Sequence, residues 1–327
     1  MLFDVTALGE ILIDFTPCGE SEAGRNLFEQ NPGGAPANVL VALQRLGLHT
    51  AFIGKIGDDM HGRLLRQTLE DERVDTRGMI TDPDYFTTLA FVSLDNGERS
   101  FSFARKPGAD TQLRKDEVNK DILDNTYIFH FGSLSLTDEP ARSATIYAVE
   151  EAKKAGAIIS YDPNYRAPLW PDEETAKKEM RSVIPYVNLM KISDEETELL
   201  TGEKDPEKAA DRLLDQGVAC VVVTLGKKGA LMKTKEFLAY NNVPVRRVVD
   251  TTGAGDSFWG GMLACFSRNH TKPDAITEED AEQYLRFANT VAGLCIEKRG
   301  GIPSMPKLET VMEELNSMET RSTQKPW

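Results

Sequence analysis

A regular alternation of strand-like and helix-like segments dominates the second half of the chain. From about residue 126, a strand pattern such as "TYIFHFGSL" is followed by a helical pattern such as "PARSATIYAVEEAKKAG", and the alternation continues through "AIISYDPN", "VNLMKIS" and "ACVVVTLG". Such alternation implies βαβ units and a mostly parallel sheet, with the loops at the carboxyl ends of the strands free for ligands. We therefore predict an α/β fold, a doubly wound and mostly parallel sheet flanked by helices.

The first part of the chain follows a related pattern with more glycine. "FDVTALGEILIDF" reads as a strand, a glycine turn and a second strand that carries Asp14. "GGAPANVLVALQRLG" has apolar residues at helical spacing after a glycine-rich entry, and Gly47 is placed to end that helix. "TAFIGKIGDD" then predicts a short strand and "HGRLLRQTLEDERV" a helix.

Two segments lack helices of their own. In 85–105, two alternating runs meet at Asp95-Asn96-Gly97, a strong hairpin signal. We predict that 12–32 and 85–108 form a small β-sheet lid on a core made of 1–11, 33–84 and 109–315. Because an isolated small sheet is marginal in water, we expect the lid to close over the ligand, to pair with the lid of a second subunit, or both.

The C-terminal third is predicted in less detail. A short β region is expected over 230–249 and one long helix over 278–300. Residues 316–327 are expected to form a frayed tail because their sequence carries no periodicity.

Composition excludes several classes of partner. The formal net charge is −14, from 38 basic and 52 acidic residues, and no local basic patch offsets it, so nucleic acid and anionic membrane surfaces are disfavoured. The longest apolar runs fall far short of the ~20 residues that span a bilayer. The four cysteines form no C-x-x-C pair and the first residues do not resemble a secretion signal, which favours a reduced cytoplasmic protein.

The stretch "DTTGAGDSFWGG" (250–261) carries the clearest chemistry. Gly253 and Gly255 allow a tight turn that aims successive N–H groups at one point, and the apolar run after them supplies a helix whose N-terminus adds positive potential. The turn is therefore predicted to be an anion hole. Asp256 at its edge would accept a proton from a hydroxyl that attacks a bound phosphate, although a capping aspartate would give the same pattern.

Other phosphate-binding motifs do not fit this stretch. A P-loop needs a lysine after its last glycine, and none follows here; a dinucleotide fingerprint needs G-x-G-x-x-G, and Gly260 comes too late. The four histidines stand at no metal-ligand spacing.

At this level of detail the chain strongly resembles the ribokinase-like (PfkB) carbohydrate kinases, and among them the fructokinases. "GGAPANV" with "FIGKIGDDMHG" is similar to the N-terminal signature of the family, and "DTTGAGDSFWGG" to its C-terminal signature. Between them, "YDPNYRAPLW", "KISDEETELLTG" and "VTLGKKGA" are similar to fructokinase segments in the same order. The resemblance covers roughly residues 1–310.

The resemblance implies a role for individual residues. It makes Asp256 the catalytic base and assigns the anion hole to Gly253, Ala254 and Gly255. It assigns the sugar hydroxyls to Asp14, Gly34 and Asn38, and the substrate and transferred phosphate to Arg105 and Arg166. Taken singly, each residue also fits a turn, a cap or a solvated surface position.

The nucleotide and the metals are assigned in the same way. The resemblance places Thr224, Gly226, Gly229 and Asn289 beside ATP. Glu196 fits the acidic position of the network linked to Mg²⁺, although Ser193 replaces the asparagine that many relatives carry. Asp250 and Thr252 match positions that bind a monovalent cation in relatives, which leaves K⁺ binding by this chain open.

The sequence thus predicts an ATP- and Mg²⁺-dependent kinase that phosphorylates the 6-hydroxyl of D-fructose. Two alternatives remain, namely the same reaction on another acceptor such as 2-keto-3-deoxygluconate or ribose, and a non-catalytic sugar sensor. A sensor should have lost Asp256 or a glycine of the anion hole, and the sequence has lost neither.

Overall fold

The computed structural model describes residues 2–95, 98–243 and 246–323. Within these ranges the strands are β1 Phe3–Leu8, β2 Leu12–Glu20, β3 Asn26–Gly33, β4 Thr50–Gly57, β5 Asp75–Asp82, β6 Leu89–Asp95, β7 Glu98–Ala104, β8 Thr126–Gly132, β9 Ile158–Asp162, β10 Leu189–Ser193, β11 Cys220–Thr224, β12 Ala230–Lys233 and β13 Leu238–Asn241. The α-helices are α1 Ala35–Arg45, α2 Met60–Asp71, α3 Lys120–Asp124, α4 Ala141–Lys154, α5 Glu173–Ser182, α6 Thr197–Thr201, α7 Pro206–Asp215, α8 Ala254–Arg268, α9 Glu278–Cys295 and α10 Leu308–Thr323.

The large sheet has the strand order β13-β12-β11-β10-β9-β8-β1-β4-β5. All neighbours from β11 to β5 pair in parallel, and only the β12 and β13 edge is antiparallel. The predicted doubly wound, mostly parallel sheet is therefore confirmed. Strand β5 was not identified from the sequence.

Helices cover both faces of this sheet because its strands are apolar on both sides. Val222 of β11 belongs to the core that α1, α8 and α9 form on one face. Its neighbours Val221 and Val223 belong to the core that α4, α5 and α7 form on the other face. This two-sided burial leaves the carboxyl ends of the parallel strands as the natural place for a site.

The small sheet has the order β3-β2-β6-β7 and lies within the two segments predicted for the lid, apart from Gly33 at its edge. Its outer pairs are antiparallel, and β2 pairs with β6 in parallel. The predicted hairpin is confirmed by the pairing of β6 with β7, while its turn residues Asn96 and Gly97 lie outside the described residues.

Three boundaries differ from the predictions. The helix expected over 278–300 ends at Cys295, because the next carbonyl, that of Ile296, accepts the N–H groups of Val249 (2.8 Å) and Asp250 (3.2 Å). The β region expected over 230–249 is also shorter, because β13 ends at Asn241 and the described residues after it up to 249 form no strand.

The predicted frayed tail is wrong for residues 316–323, because α10 continues to Thr323. Leu315 packs against the core, and Glu314 forms an ion pair with Arg246 at 2.8 Å, so this helix is attached to the body. Residues 324–327 lie outside the described residues. No helix in the described part of the chain is long and apolar enough to cross a membrane.

Candidate active site

A cleft of about 620 Å³ lies between the small sheet and the carboxyl ends of the parallel strands. Most of the site residues predicted from the sequence line it: Asp14, Gly34, Asn38, Arg166, Glu196, Thr224, Thr252, Gly253, Ala254, Gly255 and Asp256. They come from β2, from α1, from the ends of the parallel strands and from the start of α8. The fold therefore brings together residues that lie more than 200 positions apart in sequence.

The turn before α8 has the geometry of an anion hole. Gly253 caps the helix with φ +76°, a left-handed conformation that favours glycine. The N–H of Ala254 donates to the carbonyl of Thr251 at 3.2 Å and is therefore engaged within the turn. The next two N–H groups, of Gly255 and Asp256, have no acceptor among the described residues. Together with the helix dipole they form a site for a negatively charged group.

Helix α8 begins at Ala254, so Asp256 lies in its first turn. Its side chain is only 9% exposed, and Oδ2 accepts a hydrogen bond from Asn38 Nδ2 at 2.8 Å. Burial raises the pKa of this carboxyl to about 6, while the Asn38 hydrogen bond and the nearby Lys191 and Arg166 oppose the rise. A carboxylate with this pKa is suited to accept a proton near neutral pH.

Asp14 approaches the same cleft from strand β2 of the small sheet. Its carboxylate makes no hydrogen bond within the part of the chain that the structure describes, and burial raises its pKa to about 7 against the opposing charge of Arg166. Such a carboxylate is costly to bury without partners. Ligand hydroxyl groups would supply those partners.

The start of α1 forms the floor between these carboxylates. Gly34 has φ +111°, and a Cβ atom there would lie 2.6 Å from the carbonyl oxygen of Glu10, so this position needs glycine. Glu10 lines the cleft, and its Oε1 accepts the N–H of Ala35 at 2.9 Å. Glu10 was not identified from the sequence, although it follows a glycine at the carboxyl end of β1, where site residues are expected.

Glu196 organises the loop that carries Arg166. Its Oε1 accepts the N–H of Tyr165 at 2.7 Å, and its Oε2 accepts both the N–H (2.8 Å) and the hydroxyl (2.9 Å) of Ser193. Arg166 in turn donates from Nη1 to the carbonyl of Tyr165 at 2.9 Å. Ser193, the unusual residue of this motif, therefore orients the glutamate.

Arg105 does not line the cleft. Its predicted contact with substrate and transferred phosphate therefore stays a prediction. It is 5% exposed and donates to Asp110 at 2.8 Å, to Thr137 Oγ1 at 2.9 Å and to the carbonyl of Leu134 at 2.8 Å. These contacts join the end of β7 to the core. Arg105 forms an ion pair with Asp110, five residues further along the chain. The role predicted from the sequence did not include this acidic partner.

The other predicted nucleotide residues lie to one side of the cleft, around Asn241 at the end of β13. Asn289 is 3% exposed and donates from Nδ2 to the carbonyl (3.0 Å) and side-chain oxygen (2.9 Å) of Asn241. A Cβ atom at Gly229 would lie 2.0 Å from the same carbonyl oxygen, and Gly226 is exposed on the adjoining turn. Neither the buried Asn289 nor these glycines line the cleft; Thr224 does.

Asp250 and Thr252 lie in the chain segment that leads into the anion hole. Asp250 Oδ1 accepts the N–H of Thr252 at 2.8 Å, and Oδ2 accepts the N–H of Gly300 at 3.0 Å. Carboxylate and carbonyl oxygens of this kind suit a hard cation. Asp250 itself is buried behind the cleft, and Thr252 lines it.

Two charged residues at the base of the cleft were not identified from the sequence. Lys191 of β10 lines the cleft, and its Nζ lies 2.6 Å from Oδ2 of Asp162 at the end of β9. The sequence did carry a signal, because each is the one charged residue in a mostly apolar strand run, "VNLMKIS" or "AIISYDPN".

No group of three His, Cys, Asp or Glu side chains in the described ranges is placed to hold a metal ion by itself. The acidic residues on this side of the cleft, Glu195 and Glu196, offer hard oxygen ligands without forming a complete cage. This donor set fits Mg²⁺, which usually keeps several waters and binds through one or two carboxylates together with substrate phosphates.

A glycine-capped helix N-terminus with a buried carboxylate in its first turn, at the carboxyl edge of a parallel sheet, has the features of a phosphotransferase site. The chain belongs to the pfkB family carbohydrate kinases, whose family model matches residues 3–308.

Relatives and solved structures agree with this family. The chain is 42% identical over 324 residues to "Probable fructokinase-7" of Arabidopsis thaliana, covering 97% of this chain and 93% of that protein. The crystal structure of fructokinase with bound ATP from Xylella fastidiosa superposes with a TM-score of 0.89 at 32% identity, covering 97% of this chain and all of that one. A double mutant of the fructokinase from Vibrio cholerae O395, in its fructose-, ADP- and potassium-bound form, gives a TM-score of 0.84 at 32% identity over 94% and 97% of the two chains.

Proposed function

We propose that this chain is a fructokinase that transfers the γ-phosphoryl group of ATP to the 6-hydroxyl of D-fructose. The observation that carries the proposal is the position of Asp256, which is buried and hydrogen-bonded to Asn38. Its own N–H and that of Gly255 have no acceptor among the residues that the structure describes. The proton acceptor Asp256 and the anion site therefore lie within the first turn of helix α8. The fructokinase names of its relatives support the choice of sugar.

Fructose would bind between the small sheet and the core. In the described part of the chain, the Asp14 carboxylate accepts no hydrogen bond and Asn38 Oδ1 is buried without a hydrogen-bond partner, so both are available to sugar hydroxyls. Acceptors that lack the matching hydroxyls would leave these groups unpaired, which discriminates strongly against them. Because Asn38 also holds Asp256, the bound sugar would lie beside the base.

Transfer would proceed by in-line attack of the 6-hydroxyl on the γ-phosphorus of ATP, with Asp256 taking the hydroxyl proton. The N–H groups of Gly255 and Asp256 would stabilise the charge on the transferred group, and Arg166 would add a full positive charge from the facing loop. Thr224, which lines the cleft at the carboxyl end of β11, would contact the phosphates of ATP. Mg²⁺, held by Glu195 and Glu196, would neutralise phosphate charge when bound.

A coupled assay with ATP and a panel of sugars tests the proposal. We expect kcat/KM for fructose to exceed that for ribose and 2-keto-3-deoxygluconate by at least about tenfold, a difference of ~1.4 kcal/mol in transition-state binding. If either competitor equals fructose, the chain is a sugar kinase of the same family with another acceptor.

We also propose that Asp250 and Thr252 contribute to a K⁺ site that orders the turn before α8. The hydrogen bonds of Asp250 to Thr252 and Gly300 support this role, as does the potassium-bound state of the Vibrio cholerae relative. Activity should be higher in KCl than in tetramethylammonium chloride of equal ionic strength. Equal rates after removal of contaminating cations would exclude a K⁺ requirement.

The small sheet is proposed to act as a lid. Its residues Leu12, Asp14 and Phe103 line the cleft opposite Asp256 and Arg166 of the core, so movement of the sheet would open or close the sugar site. We further propose a cytoplasmic protein without nucleic-acid or membrane partners. The net charge of −14 and four free cysteines support that assignment.

A further inference from the structure

The cleft is poor in positive charge for a site that would receive ATP. Five acidic residues line it: Glu10, Asp14, Glu195, Glu196 and Asp256. Only two basic residues line it among those described, Arg166 and Lys191. With Arg105 engaged elsewhere, one of the two cations predicted for the phosphoryl group is missing from the cleft. Lys191 stands where a second cation is needed.

Lys191 lies directly beneath the anion hole. A Cβ atom added to Gly255 would be 3.3 Å from the Lys191 Nζ, so the ammonium packs against the residue whose N–H forms the hole. The lysine is 5% exposed. Asp162 and Glu196 hold the pKa of its ammonium above the ordinary value despite burial, so it remains charged.

The hydrogen bonds of Lys191 are incomplete. Its Nζ makes a single hydrogen bond within the described part of the chain, to Asp162 at 2.6 Å, although an ammonium carries three N–H donors. Lys55, a lysine of similar burial on β4, provides the comparison: its Nζ contacts the carbonyl of Gln112 at 3.1 Å, Glu117 at 2.9 Å and Asp82 at 2.8 Å. The Lys55 ammonium is saturated by protein atoms, and that of Lys191 is not.

We propose that Lys191 is the second cation of the phosphoryl-transfer site, stabilising the transferred group from beneath the anion hole. This inference rests on the proposed phosphotransferase function and names a residue that acts in it. Asp162 positions the lysine from the neighbouring strand. The ammonium adds a full charge to the partial charges of the Gly255 and Asp256 N–H groups, and it needs no rearrangement as charge develops.

The test compares Lys191→Met with the double variant Asp162→Asn/Lys191→Met and with Lys55→Met. The double variant removes both charges of the buried pair, so it avoids the cost of an unpaired Asp162 that Lys191→Met incurs. Turnover is measured on whichever panel sugar the wild-type enzyme phosphorylates fastest. Binding of ADP with aluminium fluoride, Mg²⁺ and that sugar is measured by calorimetry as a mimic of the transition state.

We expect the folded double variant to lose ~10²-fold in kcat while KM for the sugar stays within about threefold. Its affinity for the fluoroaluminate complex should fall by a similar factor, and its affinity for ADP alone should change little. Lys55→Met should keep wild-type kcat wherever it folds.

A double variant with kcat and fluoroaluminate affinity within about threefold of wild type would overturn the inference and make the Lys191–Asp162 pair purely structural. A wrong assignment of the proposed function gives a different result, because the wild-type enzyme itself would then not phosphorylate fructose. Fluoroaluminate binding does not depend on turnover, so it tests Lys191 in either case.

Discussion

At the scale of single residues, two carboxylates with raised pKa values face one cleft and have different partners. Asp256 is hydrogen-bonded and lies at the start of a helix, whereas Asp14 has no hydrogen-bond partner in the described residues. Their environments suit different tasks, a base beside the phosphoryl site and a ligand for sugar hydroxyls. This division can be tested by substitution and by pH.

Asp256→Asn should lower kcat by at least ~10²-fold while fructose and ATP still bind, because the amide keeps the shape of the carboxylate and cannot take the hydroxyl proton. Steady-state kinetics and calorimetry measure the two effects. Asp58→Asn, an exposed aspartate in a surface ion pair, is the matched control and should leave kcat unchanged. Retention of more than a third of wild-type kcat would remove Asp256 from the mechanism.

The value of kcat/KM should decline as the pH is lowered from about 7 to about 6. These are the raised pKa values of Asp14 and Asp256, respectively. Activity requires both groups ionised, so the rate rises with pH through this window and then levels. Asn38→Ala removes a hydrogen bond that lowers the pKa of Asp256. The variant should therefore move the acid limb to higher pH in addition to weakening sugar binding, and an unshifted limb would contradict the assignment of that limb to Asp256.

The position of Asp256 and Asn38 at one cleft could be predicted because both stand in long signatures with glycines at fixed spacing. Lys191 and Arg105 could not be assigned in that way. The role of a cation depends on its acceptors, and the acceptor Asp162 comes from a neighbouring strand, a juxtaposition that only the register of β9 and β10 creates. Sequence spacing around Arg105 showed a basic residue but not that Asp110 neutralises it.

At the scale of elements, the site depends on where two helices begin. Helix α1 starts after Gly34 and helix α8 after Gly253, both with positive φ, so each N-terminus opens into the cleft. The sequence predicted both starts from their glycines. It predicted the end of α9 less well, because the carbonyl just after this helix, that of Ile296, accepts the long-range hydrogen bonds of Val249 and Asp250.

Gly34→Ala should reduce kcat/KM for fructose by ~10²-fold or more, because the added Cβ would clash with the Glu10 carbonyl and displace the start of α1 together with Asn38. Gly156→Ala is the matched control: its φ of +90° is also left-handed, but no atom lies within 4 Å of the added Cβ. That variant should lose about 1 kcal/mol of stability and keep its activity. Thermal unfolding and kinetics of both variants measure the contrast, and equal kinetic effects would contradict it.

At the scale of the whole molecule, the small sheet has an outer face with apolar side chains in view of solvent. Phe28 is 42% exposed and Phe91 39% exposed, and the Phe91 ring contacts the rings of both Phe28 and Phe15, so the cluster spans three strands. One face of the sheet covers the cleft, while this opposite face carries the aromatic cluster. An apolar face of this kind fits the pairing of two lids that the sequence predicted as one way to bury the small sheet.

Sedimentation velocity at micromolar concentration should show a dimer for the wild-type chain, and Phe28→Glu should shift it to monomer because it places a charge in the apolar face. Met312→Glu changes a residue of similar exposure on α10, away from the small sheet, and should leave the dimer intact. A wild-type monomer with and without fructose would exclude pairing through the lids.

The hydrogen bond between Asn38 and Asp256 bears on how new acceptor preferences can evolve or be engineered. A substitution at Asn38 that favours another sugar would also disturb the base, so a gain in selectivity there would come with a slower reaction. Leu12 and Phe103 line the same cleft from the small sheet, and no hydrogen bond joins either side chain to Asp256. Libraries that aim to redirect the enzyme to other polyols should vary these two positions first and keep Asn38 fixed.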